Sequence, residues 1–247
     1  MTPARRVLRR ARPLLGTLVE IGIVIDGQGS TSQTEGDARG DDSGAAIDAA
    51  FAAIAAVEGR LSRFAAGSEI FRFNAAAAGE RIEIGADTRR VLAAADALHR
   101  ASDGIFDITL GSGATGWHCD AGGLHKSGAA VHLDLGGIGK GHAVDCAVNA
   151  LRAADAQAGW VNAGGDLRVF GATTVPIDLR DEAAGGVRRF ATLTDGAFAT
   201  SRLCTDGHAS VAAPECIWAD ALTKIILVSG DARHPLLERF GARAWLH

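Results

Sequence analysis

Apolar residues recur along the chain with two different periods. From Leu18 to Ile25 they alternate with, or directly follow, one another, with Glu20 and Gly22 between them, and this predicts a strand. Residues 26–44 are Gly, Ser, Thr, Asp and Gln with almost nothing apolar, so a mobile loop is expected there. Ile47, Phe51, Ile54, Val57 and Leu61 then fall at helical spacing and predict a helix with one buried face. Ser68 to Asn74 reads as a short helix or turn, and Arg81 to Ile84 as a strand. Thr88 to Ser102 reads as an Ala-rich helix stopped by Asp103-Gly104. Val131 to Leu135 reads as a short buried strand, followed by the glycine-rich run 136–141 and a helix from His142 to Ala153. Strands are expected at Trp160 to Asn162, Leu167 to Phe170, Val175 to Leu179, Val187 to Leu193 and Ala197 to Thr200. Helices at Ala219 to Val228 and Pro235 to Phe240 and a strand at 242–246 close the pattern.

Helices and antiparallel-looking strands are interleaved, which predicts an α+β fold with mixed, largely antiparallel sheets. At 247 residues, one domain over 1–247 or two intimate lobes is expected. Lys plus Arg is 25 and Asp plus Glu is 29, so the net charge is −4, and a basic nucleic-acid binder is excluded as a reading. Tyr is absent, so few rings can stack on bases. The four cysteines form no CxxC pair and read as reduced thiols. Arg5, Arg6, Arg9, Arg10 and Arg12 look like the start of a secretion signal. Gly16, Thr17 and Glu20 interrupt the apolar run behind them, and no small-residue cleavage site follows. With no apolar run near the length of a membrane span, a cytoplasmic protein is expected.

Three stretches have chemistry in them. In Gly136-Gly137-Ile138-Gly139-Lys140-Gly141, small residues and a lysine precede a helix N-terminus, a combination suited to phosphate, although on this signal alone a tight strand–helix turn is the first reading. It is neither a Walker A loop nor GxGxxG. Asp166 ends the turn Ala163-Gly164-Gly165-Asp166 and can bond a ribose or its own backbone. Asp220 and Thr223, three apart on a helix, can share a hard cation, while Asp220 and Lys224, four apart, can form an ion pair. Cys204, His208 and Cys216 fit no standard zinc spacing.

Several blocks in order resemble the ApbE family, the FAD:protein FMN transferases. Arg12-Pro13-Leu14-Leu15-Gly16-Thr17 resembles the entry strand R-P-x-M-G-T. Leu61-Ser62-Arg63-Phe64 with Ser68-Glu69-Ile70 to Asn74 resembles L-S-x-Y…S-E-I-x-x-x-N. Ser102 to Thr109 resembles S-x-G-A-F-D-P-T. Asp134 to Asp145 resembles D-L-G-A-I-A-K-G-Y-A-V-D. Val161 to Asp166, Ala199-Thr200-Ser201 and Ala219-Asp220-Ala221-Leu222 also match. The resemblance implies an ApbE-like, T-fold-related architecture and transfer of FMN from FAD to a Thr or Ser hydroxyl of an acceptor flavoprotein, with release of AMP and with Mg²⁺. By position it implies flavin-nucleotide contacts at Leu15, Phe64, Asn74, Ile105, Phe106, Asp107, Asp134, Lys140 and Asp166. It implies metal ligation by the Gly137 carbonyl, Asp220 and Thr223, and catalytic roles for Lys140, Asp220 and His208.

The chain departs from the family pattern in four places. The methionine is Leu15 and the tyrosine is Phe64. The metal-binding threonine position, four after Asp220, is Lys224. The H-x-x-D-P-x-T-G segment after Thr200-Ser201 is missing, leaving His208 as its relic or as an unrelated residue. A paralogue that only binds FAD or an adenine nucleotide, or hydrolyses FAD slowly, is therefore the alternative expectation. Ser112-Gly113-Ala114-Thr115 resembles the acceptor motif; a chance four-residue match is the first reading, and self-modification at Thr115 the minor one.

Overall fold

The structure, a computed structural model, describes residues 6–25, 33–180, 185–202 and 207–247, and the side chains of 33–41 and 180 lie outside the description. In chain order the elements are β1 (Arg6–Leu14), β2 (Thr17–Ile25), α1 (Gln33–Leu61), α2 (Glu69–Ala75), β3 (Arg81–Ile82), α3 (Ala86–Ala101), β4 (Trp117–Asp120) and β5 (Gly123–Lys126). They continue with α4 (Gly139–Ala153), β6 (Gly159–Ala163), β7 (Asp166–Arg180), β8 (Val187–Arg202), β9 (His208–Ala213), α5 (Cys216–Ser229), α6 (Leu236–Arg239) and β10 (Arg243–Leu246).

Seven strands form one antiparallel sheet in the order β1-β2-β6-β7-β8-β9-β10, and β3-β5-β4 form a second, smaller one. Helices α1, α4 and α5 pack together, and α4 and α5 lie on the large sheet. Side chains alternate across a strand. Ala197, Ala199, Ala209 and Val211 join the main core under the helices. Leu167, Val169 and Phe198 face the other way into a smaller cluster with Trp160, Phe190 and Trp245. The class is α+β, as the element pattern predicts.

Two turns show why the glycines stand where they do. Leu15 (φ 55°) and Gly16 (φ 69°) join β1 to β2, and Gly164 (φ 62°) and Gly165 (φ 105°) join β6 to β7. Two successive left-handed residues make the two-residue turn whose twist matches antiparallel strands.

Two expectations need correction. Residues 26–44 are not a loop throughout: α1 begins at Gln33, and 26–32 fall outside the described residues. Helix growth is cooperative, so the packed face of Ile47, Phe51 and Ile54 extends the helix into a polar segment that has no pattern of its own. Val131 to Leu135 is not a strand. Its backbone turns to Asn74, whose amide accepts from the Leu133 N–H at 2.7 Å and donates to the Leu133 carbonyl at 2.9 Å. The arginine-rich start is an edge strand, where Arg10 and Arg12 pair with Asp48 of α1 at 3.2 and 2.6 Å. Among the described residues no helix is long and apolar enough to cross a membrane.

Candidate functional site

The site is assembled where α4 crosses α5 and both meet β7. A Cβ on Gly141 would lie 2.3 Å from the Cys216 carbonyl oxygen, so only glycine permits this crossing. The close approach lets the Gly141 N–H donate to Asp220 Oδ2 at 3.1 Å. One turn further along α4, Asp145 accepts from the N–H groups of Cys216 and Ile217, both at 2.9 Å, and caps α5 from a neighbouring helix. Arg168 of β7 pairs with the same carboxylate at 2.5 Å. Asp166 and Arg168, two apart, share the sheet face that looks at α4. Asp166 therefore meets Lys140, with Nζ–Oδ2 at 2.7 Å.

Four charged side chains result. Asp166 (1% exposed) and Asp220 (0%) are buried carboxylates, and Lys140 and Lys224 are their ammonium partners. Burial, and then the neighbouring Asp220 carboxylate, raises the Asp166 pKa. Burial alone pulls Lys140 down, but Asp166 and Asp220 outweigh it and hold its pKa above the ordinary lysine value. Lys224 Nζ lies 2.5 Å from Asp220 Oδ1, 2.8 Å from Ser201 Oγ, and 3.1 Å from both the Asp220 carbonyl and Thr223 Oγ1. The Thr223 hydroxyl donates to the Asp220 carbonyl at 2.6 Å. The i,i+4 ion pair is thus formed.

The loop 134–138 leads from this cluster to a cleft of about 440 Å³, lined by Arg63, Phe71, Asn74, Thr109, His132 and Asp134. Asp134 and Gly137 are three Cα–Cα steps apart, a span of at most about 11 Å. Asp134 accepts from the Gly136 N–H at 2.8 Å and pairs with Arg63 at 3.0 Å. Arg63 lies over the ring of Phe64, which is 76% exposed, so an aromatic face stands open beside the cleft. Phe106 is buried and Ile105 half-buried. Asp107 is bound by the Thr109 hydroxyl and by the N–H groups of Thr109 and Gly111. Burial pushes the Asp107 pKa up, and these hydrogen bonds more than reverse it. Leu15 is half-buried in its turn and donates its N–H to Glu58 at 3.0 Å. The Asn74 amide is taken up by Leu133, which makes it a support of the cleft wall. Thr115 is exposed just before β4.

The structure brings Lys140, Asp166, Asp220, Thr223 and Gly137 together, but not His208. Along β9, His208 shares a face with Ser210 and Ala212, opposite the face through which Ser201 of β8 reaches Lys224. His208 acts electrostatically on His247, whose Nε2 lies 3.2 Å from Ser210 Oγ on that outer face. Cys204 lies outside the described residues, and Cys216 is buried at the start of α5. Sequence reasoning did not single out Ser201 as a site residue. Its signal was the strand alternation that puts it in phase with Ala197 and Ala199.

A divalent ion at Gly137, Asp220 and Thr223 does not fit these residues. Asp220 Oδ1 and Thr223 Oγ1 are both turned to Lys224, and the lysine stem packs on Gly137, where a Cβ would lie 3.4 Å from Lys224 Cε. A divalent ion about 4 Å from an ammonium is repelled by roughly 8 kcal/mol at an effective dielectric constant of about 20. Among the described residues, two other groups have metal-ligating geometry: Asp87, His142 and Cys146, and His118, Asp120 and His125. Neither touches this cluster.

An antiparallel sheet carrying three helices, with a buried ionic cluster at a helix crossing, defines the class of molecule. The ApbE family model matches residues 15–126 and 114–203, and the chain belongs to the ApbE family. Solved structures agree in fold. A flavin transferase ApbE from Vibrio cholerae superimposes with a TM-score of 0.79 at 18% identity, covering 98% of this chain and 94% of that one. The apo form of a Pseudomonas stutzeri flavinyl transferase ApbE gives 0.76 at 21% identity, with 97% and 90% covered. An ApbE protein from Thermotoga maritima gives 0.78 at 22%, with 98% and 94% covered. No curated protein sequence matches the chain.

Proposed function

We propose that this protein is a flavin transferase that cleaves the pyrophosphate of FAD and passes the FMN half to a Thr or Ser hydroxyl of an acceptor protein. The observation that carries the reading is the buried Lys140–Asp166–Asp220–Lys224 cluster, one short loop away from a cleft with an open aromatic face. Family membership supports it, as does the likeness in fold to the Vibrio flavin transferase and the Pseudomonas flavinyl transferase. Phe64 offers a stacking face for the flavin, with Leu15, Ile105, Phe106, Asp107 and Asp134 around the nucleotide.

The step is a phosphoryl-type transfer. The acceptor oxygen forms a bond to the FMN-side phosphorus, the bridging P–O bond breaks, and AMP leaves with the bridging oxygen and its electron pair. The hydroxyl proton passes to solvent base. Lys140, held protonated by Asp166 and Asp220, offsets charge building on the phosphate oxygens. Water in place of the hydroxyl gives free FMN and AMP.

Incubation of the purified protein with FAD, followed by nucleotide chromatography and intact mass of added acceptor, tests the reading. AMP formed together with an acceptor heavier by one FMN less one water is the expected result. Saturable FAD binding with FAD left whole would favour the second reading, a flavin-binding paralogue. The observation that favours that reading is the lysine that fills the cation position.

A further inference from the structure

Lys224 stands in a cage of four oxygens: Asp220 Oδ1, the Asp220 carbonyl, Ser201 Oγ and Thr223 Oγ1, all between 2.5 and 3.1 Å from its Nζ. A carboxylate, a carbonyl and hydroxyls are the donor set of a hard cation. These four oxygens more than match the three ammonium protons, so the side chain occupies the position that a hard cation on these donors would take. The lysine is also fixed at its stem by the Gly137 backbone. With Lys224 in place the four ionic groups balance, two carboxylates against two ammoniums, and a divalent ion would add uncompensated positive charge to a buried cluster.

We propose that Lys224 is a tethered cation that takes the place of the divalent metal, so that this chain holds its diphosphate substrate without one. The proposal rests on the flavin-transferase reading only for the identity of that substrate. The two contacts at 3.1 Å are the ones a phosphate oxygen exchanges with on binding, leaving the ammonium anchored on Asp220 Oδ1 and Ser201. An ammonium donates hydrogen bonds to a phosphate but cannot coordinate it, so Lys140 and Lys224 act as two point charges on the diphosphate. The site is then indifferent to metal supply and to chelators.

Manganese titration followed by electron paramagnetic resonance tests this without substrate. The native chain should show no saturable Mn²⁺ site that Asp220→Asn removes. Lys224→Thr, which frees Asp220 and adds a hydroxyl, should gain one such site, and Asp220→Asn in that background should abolish it. A native-chain Mn²⁺ site lost in Asp220→Asn would overturn the proposal, and that titration needs no lysine variant to fold. A folded Lys224→Thr chain that gains no Mn²⁺ would also overturn it, because the cage would then not be a cation site. In parallel, FAD turnover should be unchanged by a chelator, and turnover abolished by it contradicts the proposal. Failure of the flavin reading is distinct: it gives no AMP with or without metal and leaves the manganese result standing.

Discussion

Lys140 and Asp166 show how one residue can be both structural and chemical. The carboxylate is buried and its pKa raised, so the ammonium beside it is what makes its charge tolerable there. Lys140→Met should abolish AMP formation from FAD, and it should cost stability, because Asp166 then has to fold protonated. Since that carboxyl's folded-state pKa lies above its unfolded one, its contribution is greatest at low pH and is lost as pH rises through the folded value. Lys140→Met should therefore be closest to the native chain at acid pH and fall behind it towards neutrality. Urea unfolding at several pH values reads this directly, and a constant difference across pH would count against the pairing. Lys140, Asp166 and Asp220 are all legible in the sequence as charged residues beside glycine turns or on a helix. What Lys224 does was only half legible there: the spacing put an Asp220–Lys224 ion pair first and a cation site at Asp220 and Thr223 second. Only the position of Ser201, on a strand packed against α5, decides between them.

At the scale of elements, the crossing of α4 and α5 is the feature that builds the site. Gly141 sits in a run that reads as a phosphate loop, yet its lack of a side chain is used for helix packing. Gly141→Ala should destabilise by about 3 kcal/mol, the upper range for forcing extra volume into a packed contact. Asp145→Ala removes both N–H bonds at the start of α5 and strands Arg168, and should cost about 3–5 kcal/mol. Asp48→Ala, at the exposed Arg10–Arg12 cluster, should cost less than about 1 kcal/mol. Chemical denaturation of the three variants checks the order. His142, also on α4, is buried and held neutral, its pKa depressed mainly by burial. Its contribution is intact above the ordinary imidazole value of 6.5 and is lost as pH falls through the depressed one. His142→Gln should flatten the loss of stability between neutral pH and mildly acid pH, and an unchanged slope would contradict this. Helices with a strict apolar stripe were legible. The first turns of α1, the short strands β4 and β5, and β9 were not, since their form depends on partners distant in sequence.

The whole molecule joins segments that are far apart in the chain. The large sheet runs from β1 at one end to β10 at the other, with the apolar cluster beneath it drawing on residues from Val19 to Leu237. If the described residues form one domain, heating should give one transition seen equally by far- and near-ultraviolet circular dichroism, and two separated transitions would mean two lobes. The class of fold was legible from interleaved helical and alternating patterns. The strand order was not, because hairpins fix neighbours such as β6 and β7, while the pairing of β2 with β6 is set by the helix layer between them in sequence. The same arrangement brings Gly137, Lys140, Asp166, Ser201, Asp220, Thr223 and Lys224 into one cluster, one short loop from the cleft, and this is the physical ground for the flavin reading. Its most direct test is to incubate the native chain with FAD and separate the nucleotides over time. Flavin transfer or hydrolysis through this cluster predicts AMP appearing as FAD disappears, and AMP absent in Lys140→Met. FAD recovered whole from the native chain would contradict the account.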